Sequence, residues 1–162
     1  MPLKRIPRSL SPKLLGVLAR MGHGDELLIC DANFPSHSQH VKHVIHSDAS
    51  SATNLLADVL QLLPLDSFTR YQAAVMKQVD SDLDAAIVAD FDQILNRAYQ
   101  GEDHSPVRVE IERVERFAFY ERAKQVFAIC VTGESRLYGN VIVKKGVLDA
   151  HGQTVVPPSS KM

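Results

Sequence analysis

The sequence predicts an α/β fold, a single domain in which helices pack on a largely parallel β-sheet. Short apolar runs alternate along the chain with longer stretches whose apolar residues recur every three or four positions. This is the pattern of strands alternating with helices. The chain has no internal repeat, and its 162 residues fit one domain with a sizeable core.

The first half of the chain predicts two helices and two strands. Ser11 is a favourable N-cap, Pro12 suits the first helical position, and Gly22 is a favourable left-handed stop. The apolar runs between the helices are too short and too continuous for a surface helix, so they predict buried strands. The predicted elements are a helix over residues 12–21, strands over residues 27–30 and 41–45, and a helix from about Ser51 that Pro64 ends.

The second half predicts two more helices and four more strands. Val107, Val109 and Ile111 alternate with charged residues, which is typical of a half-exposed strand. The predicted elements are strands over residues 73–79, 107–111, 126–131 and 141–143, and helices over about 83–99 and 116–125. We expect one domain over residues 1–148, followed by a polar, flexible C-terminal tail over 149–162.

Charge and composition exclude several classes of function. Eighteen Lys and Arg balance nineteen Asp and Glu, so there is no basic surplus to bind nucleic acid. No apolar run approaches the ~20 residues that cross a bilayer, and the amino terminus lacks the apolar stretch of a signal peptide. Cys30 and Cys130 each lie in an apolar run, which favours buried, reduced thiols. We therefore expect a cytoplasmic protein without nucleic-acid or membrane partners.

Two groups of residues are candidates for proton chemistry in the first half. His23 lies between Gly22 and Gly24, which suits a titratable group presented to a cleft, although a surface turn histidine is the alternative. Asp31 and Asn33 directly follow the first strand, where open α/β sheets bind ligands. Ordinary turn roles are the alternative for both residues.

The second half adds aromatic and polar candidates. On the predicted helix after residue 115, Arg116 can hold an oxygen-rich ligand and Tyr120 can donate a proton. Core aromatics beside a solvated ion pair are the alternative. In Tyr138-Gly139-Asn140 the glycine allows a ligand to approach the backbone, and a β-bulge explains the same residues.

Metal and nucleotide chemistry have little support. His37, His40, His43 and His46 recur every three residues, but on a strand such positions point to opposite faces, so we expect no metal site. The sequence has no glycine-rich nucleotide loop, no nucleophile elbow and no zinc-protease motif. The remaining His, Asp, Tyr, Arg and Asn suit proton transfer on a polyhydroxylated small molecule, without a cofactor.

Several motifs together resemble the L-fucose mutarotase and D-ribose pyranase family. They run in family order from about residue 3 to residue 148. The blocks with Leu-Pro-Leu-Asp and Phe-Tyr-Glu-Arg-Ala resemble the fucose branch. The motifs are the runs at residues 10–15, 18–26, 31–35, 63–66, 116–123, 132–134, 138–140 and 144–146.

The resemblance implies a cofactor-free isomerase that interconverts the α and β anomers of L-fucose. It implies His23 as the acid/base residue and Tyr120 as a second catalytic group. It also implies a homo-oligomeric ring, commonly a decamer, with sites near subunit boundaries. The implied substrate-binding residues are Asp31, Asp66, Arg116, Tyr138, Gly139 and Asn140.

The histidine-rich stretch ends at His46, where the family usually has arginine, and the polar tail is longer than usual. These departures leave the preferred sugar open. D-ribose pyranase activity and a non-catalytic sugar-binding module are the alternatives.

Overall fold

The protein forms a six-stranded sheet with helices on both faces, which confirms the predicted fold class. The computed structural model describes residues 3–100 and 108–155. In chain order the elements are α1 (Pro12–Arg20), β1 (Glu26–Cys30), a 3-10 turn (His37–Gln39), β2 (His43–His46), α2 (Ala52–Val59), β3 (Ala73–Met76), α3 (Ala86–Gln100), β4 (Ile111–Val114), α4 (Arg116–Ala123), β5 (Ala128–Val131) and β6 (Val141–Lys144).

Five of the six strands run in the same direction. The sheet order is β2-β5-β1-β6-β3-β4, and β6 is antiparallel to both of its neighbours, β1 and β3. The pairs β1–β5, β2–β5 and β3–β4 are parallel. The ends of β1 to β5 and the start of β6 therefore share one edge of the sheet, which we call the carboxyl edge. The opposite edge is the amino edge.

Alternate residues of each strand pack on opposite faces of the sheet. Leu27 and Ile29 of β1 belong to the larger core, which includes residues of α1, α2 and α3. Leu28 and Cys30 belong to a smaller core with Phe119 of α4. Strand β1 therefore lies between the two cores. Its last residue, Cys30, is fully buried next to the carboxyl edge.

Side chains cap three of the helices. Ser11 accepts a hydrogen bond from the backbone N–H of Leu14, as its predicted N-cap role requires. Ser51 caps α2 in the same way. The Glu115 carboxylate accepts from the first amides of α4, and these hydrogen bonds lower the pKa of the carboxyl. These caps fix where α4 begins and so where Arg116 lies.

The segment in which apolar and charged residues alternate, at residues 107–111, lies mostly before strand β4. The hydrogen-bonded pairing of β4 with β3 begins at Ile111. It does not begin earlier because the two preceding backbone N–H groups donate to side chains outside β4. Val109 N–H donates to Asn96 Oδ1 at 3.0 Å, and Glu110 N–H donates to Gln72 Oε1 at 2.9 Å. The predicted strand over 107–111 was therefore placed too early, and its first residue lies outside the described residues.

Folded backbone continues past residue 148. Leu148 and Thr154 form an isolated antiparallel bridge, and the N–H of Val155 donates to the carbonyl of Val147 at 2.9 Å. Ser67 Oγ donates to the carbonyl of Val155. The rest of the expected tail, residues 156–162, lies outside the described residues.

Both cysteines are buried and free, as predicted from their apolar neighbours. Burial raises the pKa of the Cys130 thiol to about 12. Burial raises the pKa of the Cys30 thiol as well, so neither thiol is ionised near neutral pH. Over residues 3–100 and 108–155 the structure also contains no helix with the length and apolar character to cross a bilayer.

Candidate active site

A polar cavity opens at the carboxyl edge of the sheet. It occupies about 220 Å³ between the loop after β1, the end of β3, the helix α4 and the residues before β6. Its lining combines one carboxylate, two amides and a guanidinium with aromatic rings. These residues are Asp31, Asn33, Phe34, Met76, Arg116, Tyr120, Leu137, Tyr138 and Asn140. The structure thus brings together most of the residues that the sequence analysis selected from distant segments.

Asp31 and Asn140 form the buried floor of this cavity. Asn140 Nδ2 donates to Asp31 Oδ2 at 3.0 Å, and Asn140 Oδ1 accepts from the Asp31 N–H at 3.1 Å. Both residues are almost fully buried. Asp31 Oδ1 also accepts from the N–H of Asn33 at 2.9 Å. The two-way pairing fixes the orientation of the amide and of the carboxylate, which can receive a hydrogen bond from a ligand hydroxyl.

Tyr138 and Gly139 form a constrained turn before β6. Tyr138 has a φ of 60°, a left-handed conformation that is uncommon for a residue with a side chain. Its hydroxyl accepts a hydrogen bond from the N–H of Val79 at 3.2 Å. A Cβ at Gly139 would lie 2.7 Å from Glu134 Cγ and 3.1 Å from Asp31 Cβ. Glycine at residue 139 is therefore required by close packing.

Arg116 and Tyr120 reach the cavity from α4. Arg116 is exposed at the first turn, and its guanidinium lies 4.9 Å from the ring centre of Phe117. Tyr120 is half-buried, and its ring centre is 5.6 Å from that of Phe34. The aromatic contact orients the phenol, and the exposed guanidinium of Arg116 forms part of the cavity lining, where it can bind an oxygen-rich ligand.

His23 and Asp66 lie at the amino edge, away from this cavity. His23 precedes β1, whereas Asp31 follows it, and the five residues of β1 span roughly 16 Å. The structure therefore does not bring His23 and Tyr120 together within one chain. His23 Nε2 lies 3.1 Å from Asp66 Oδ1, and the histidine side chain is 50% exposed while the aspartate is 2% exposed.

The backbone holds Asp66 in place beside the imidazole. Asp66 Oδ1 accepts from the N–H of Phe68 at 3.0 Å, and the Asp66 N–H donates to the carbonyl of Lys144 at 3.0 Å. The ring of Phe68 lies edge-on to His23, with ring centres 5.7 Å apart. When Nε2 carries the proton that Asp66 accepts, Nδ1 is a free base. This arrangement suits an oriented imidazole.

Two of the four regularly spaced histidines form a pair. His37 in the 3-10 turn and His46 at the end of β2 place their Nε2 atoms 3.1 Å apart. Their ring centres are 5.4 Å apart with planes 21° apart, so the rings lie nearly end to end and one nitrogen donates to the other. His43 instead packs against Phe127. Among the described residues no three metal-ligating side chains come together.

Three charged residues beside the cavity were not among the candidates predicted from the sequence. Glu134 is buried at 3% exposure and forms an ion pair with Arg136, which also pairs with Asp90 of α3. Glu134 is the last residue of the motif over residues 132–134, which carries part of the family resemblance. That motif was the one sequence signal that pointed to Glu134. Nothing local in the sequence indicates that Asp90 reaches this loop.

The model of the RbsD / FucU transport protein family matches residues 4–148. This chain belongs to that family. A fucose mutarotase of Homo sapiens is 47% identical over 152 residues, which cover 90% of this chain and 94% of that protein.

Solved structures of family members share the fold. The fucose mutarotase of Streptococcus pneumoniae in complex with L-fucose has a TM-score of 0.79 and 39% identity, over 91% of this chain and 100% of that chain. RbsD of Bacillus subtilis complexed with D-ribose has a TM-score of 0.65 and 21% identity over the same shares of the two chains, which supports the fold alone. The fold described above, with its mixed sheet, is therefore shared with other members of the family.

Proposed function

We propose that this chain is an L-fucose mutarotase, an isomerase that interconverts the α and β anomers of L-fucopyranose. The observation that carries the proposal is the buried Asp31–Asn140 pair on the floor of a polar cavity. Such a floor suits sugar hydroxyls, which both donate and accept hydrogen bonds. The fucose mutarotases among the relatives, one of them with L-fucose bound, point to the same sugar.

The reaction opens and closes a cyclic hemiacetal. A base removes the proton of the anomeric hydroxyl, the bond between the anomeric carbon and the ring oxygen breaks, and an acid protonates the ring oxygen. Rotation of the free aldehyde and the reverse steps give the other anomer. Positioned acid and base groups contribute about 10²–10⁴-fold to such proton transfers. The residues therefore have to hold the sugar and move two protons.

Each candidate residue has a role in this proposal. His23 and Tyr120 exchange protons with the anomeric and ring oxygens. The family resemblance implies that Asp66 contacts the sugar directly. We propose instead that Asp66 orients His23, because Asp66 Oδ1 is already hydrogen-bonded to His23 and to the N–H of Phe68. The residues that bind the sugar are Asp31, Arg116, Tyr138, Gly139 and Asn140. Gly139 contributes through its backbone, because its lack of a side chain lets the turn pack closely against Asp31 and Glu134.

A complete site needs two copies of the chain. Because His23 lies at the amino edge and Tyr120 at the carboxyl edge, we propose that His23 and Asp66 of one copy face the cavity of the next. Large exposed apolar residues lie beside both parts, Phe68 next to His23 and Leu137 at the cavity. A subunit contact would cover them. We propose a homo-oligomeric ring, a decamer by the family resemblance, in the cytoplasm.

Saturation-transfer NMR on L-fucose tests the activity. We expect the purified protein to accelerate exchange between the anomer signals over buffer, and His23→Ala to lose the acceleration while keeping its fold. Saturable binding with no faster exchange would indicate a non-catalytic sugar-binding module. Faster exchange on D-ribose than on L-fucose would indicate a pyranase instead.

Subunit mixing tests whether the site is shared. His23→Ala and Tyr120→Phe each remove one catalytic group, and both variants should be inactive alone. In randomly mixed rings, about one site in four combines an intact His23 from one copy with an intact Tyr120 from another. Recovery of roughly a quarter of the wild-type activity supports a shared site, and no recovery in confirmed mixed oligomers contradicts it.

A further inference from the structure

Glu134 is a buried carboxylate beside the cavity but not in its lining. Its Oε1 accepts from the backbone N–H and from Nε of Arg136, both at 3.0 Å, and its Oε2 accepts from Arg136 Nη2 at 2.9 Å. These hydrogen bonds lower the pKa of Glu134 to about 2. The group stays ionised throughout the neutral range, so it cannot supply a proton to a sugar. Its contacts must serve another purpose.

Arg136 connects this carboxylate to a helix on the other side of the loop. Its Nη1 donates to Asp90 Oδ2 of α3 at 2.7 Å. The guanidinium therefore bridges Glu134 and Asp90, and both carboxylates raise the pKa of Arg136. A planar guanidinium with several donors can hold two carboxylates in a fixed geometry, which a lysine cannot do.

The bridge is packed directly against the turn that carries the sugar-binding residues. Glu134 Cγ and the carbonyl of Arg136 are two of the three nearest atoms to a Cβ built on Gly139. The third belongs to Asp31. The carbonyl of Glu134 also accepts from the N–H of Ala32 at 2.9 Å. Glu134 thus contacts both segments that form the cavity floor, the one after β1 and the one before β6.

We propose that Glu134, Arg136 and Asp90 are positioning residues that hold the turn at Tyr138–Asn140 in its binding conformation, with α3 as the external anchor. The left-handed φ of Tyr138 needs such support, because an isolated chain rarely adopts it. The test of this inference by enzyme kinetics rests on the proposed function, whereas its test by amide hydrogen exchange does not.

The chain offers a matched pair of substitutions for the test. Asp90 and Asp92 both lie on α3, and each pairs with one arginine, Arg136 at 2.7 Å and Arg108 at 2.8 Å. Asp90→Asn removes the anchor of the turn, whereas Asp92→Asn removes an ion pair outside the bridge. We expect Asp90→Asn to raise the KM for L-fucose about 2- to 5-fold, the effect of losing an exposed ion pair. Asp92→Asn should match wild type, and Asp90→Glu should restore the KM.

Stronger effects should follow closer to the turn. Glu134→Gln removes the charge and one acceptor, and we expect kcat/KM to fall about 10- to 100-fold, mostly through KM. Arg136→Lys should resemble it, because lysine cannot bridge both carboxylates. If Glu134→Gln fails to fold, the exposed Asp90 and Arg136 variants still decide the proposal. Equal KM values for Asp90→Asn, Asp92→Asn and wild type would overturn it.

Amide hydrogen exchange provides a readout that needs no sugar. The N–H groups of Asp31, Ala32 and Val79 donate to Asn140, to the Glu134 carbonyl and to the Tyr138 hydroxyl. In Asp90→Asn they should exchange severalfold faster than in wild type, and in Asp92→Asn they should not. Unchanged protection in Asp90→Asn would refute the positioning role. If wild type fails to accelerate anomer exchange, the proposed function fails, and these amide rates still decide the inference.

Discussion

Gly146 lies where β6 meets the segment that carries Asp66, and we expect Gly146→Ala to destabilise the protein. A Cβ built there would be 2.3 Å from the carbonyl oxygen of Leu65, 2.7 Å from its carbonyl carbon and 3.0 Å from Asp66 Cα. All three are backbone atoms, so no side chain can turn away. Non-bonded contacts become favourable only at about 3.5 Å, so the segment must move on the order of 1 Å.

Overpacking of this kind costs up to about 3 kcal/mol. For a chain of this size, each kcal/mol corresponds to a Tm change of about 2–4 °C. We therefore expect thermal unfolding, followed by circular dichroism at fixed protein concentration, to show a Tm below wild type by up to about 6–12 °C. Displacement of Asp66 should also disturb its contact with His23 and reduce anomer exchange.

Gly16 provides the matched control for the same chemical change. It is exposed within α1, and a Cβ built there meets no atom within 4 Å. Gly16→Ala should stabilise the protein by about 0.5–1 kcal/mol, because alanine loses less backbone entropy in a helix. A Gly146→Ala variant as stable as wild type, or equal to Gly16→Ala, would refute the packing argument.

Three further outcomes are expected. Asp66→Asn should keep the fold but slow anomer exchange at least about 10-fold in the NMR assay, since the imidazole loses its charged partner; wild-type exchange would exclude an orienting role. Ser11→Ala should lower the free energy of unfolding by about 1 kcal/mol in urea titrations, through loss of the α1 cap. The pKa of Glu134 is lowered on folding to about 2. The ionised carboxylate therefore stabilises the fold by about 3 kcal/mol, and this stabilisation is complete above about pH 5 and lost as the pH falls towards 2. Glu134→Gln should flatten unfolding free energy against pH in that window, and an unchanged slope would contradict this account.

Local patterns were sufficient to predict most elements of the fold. The period of the apolar residues identified α1 and α2, the cap at Ser11 marked the start of α1, and continuous apolar runs identified β1, β5 and β6. These signals lie within a few residues of one another, so the sequence displays them directly. Strand ends were less predictable, as β3 and β4 show, because amides at Val79 and Val109 are bound by distant side chains.

The cavity was partly predictable for a topological reason. Parallel strands end at one edge of the sheet, so Asp31 after β1 and Asn140 before the antiparallel β6 come together once the topology is fixed. The position of His23 was not predictable in this way, because it precedes β1 whereas Asp31 follows it, so the strand places the two residues at opposite edges of the sheet.

The amino-acid sequence was sufficient to predict the order of the elements, the direction of most strands and the residue types available for proton transfer. Tertiary structure alone decided which side chains meet: His23 with Asp66, His37 with His46, and Arg136 with both Glu134 and Asp90. Periodicity and capping act over one or two turns, whereas two of these contacts join residues more than forty positions apart, 43 for His23 with Asp66 and 46 for Arg136 with Asp90. Such pairs form when packed layers set the distance between their backbones, which a linear pattern does not record.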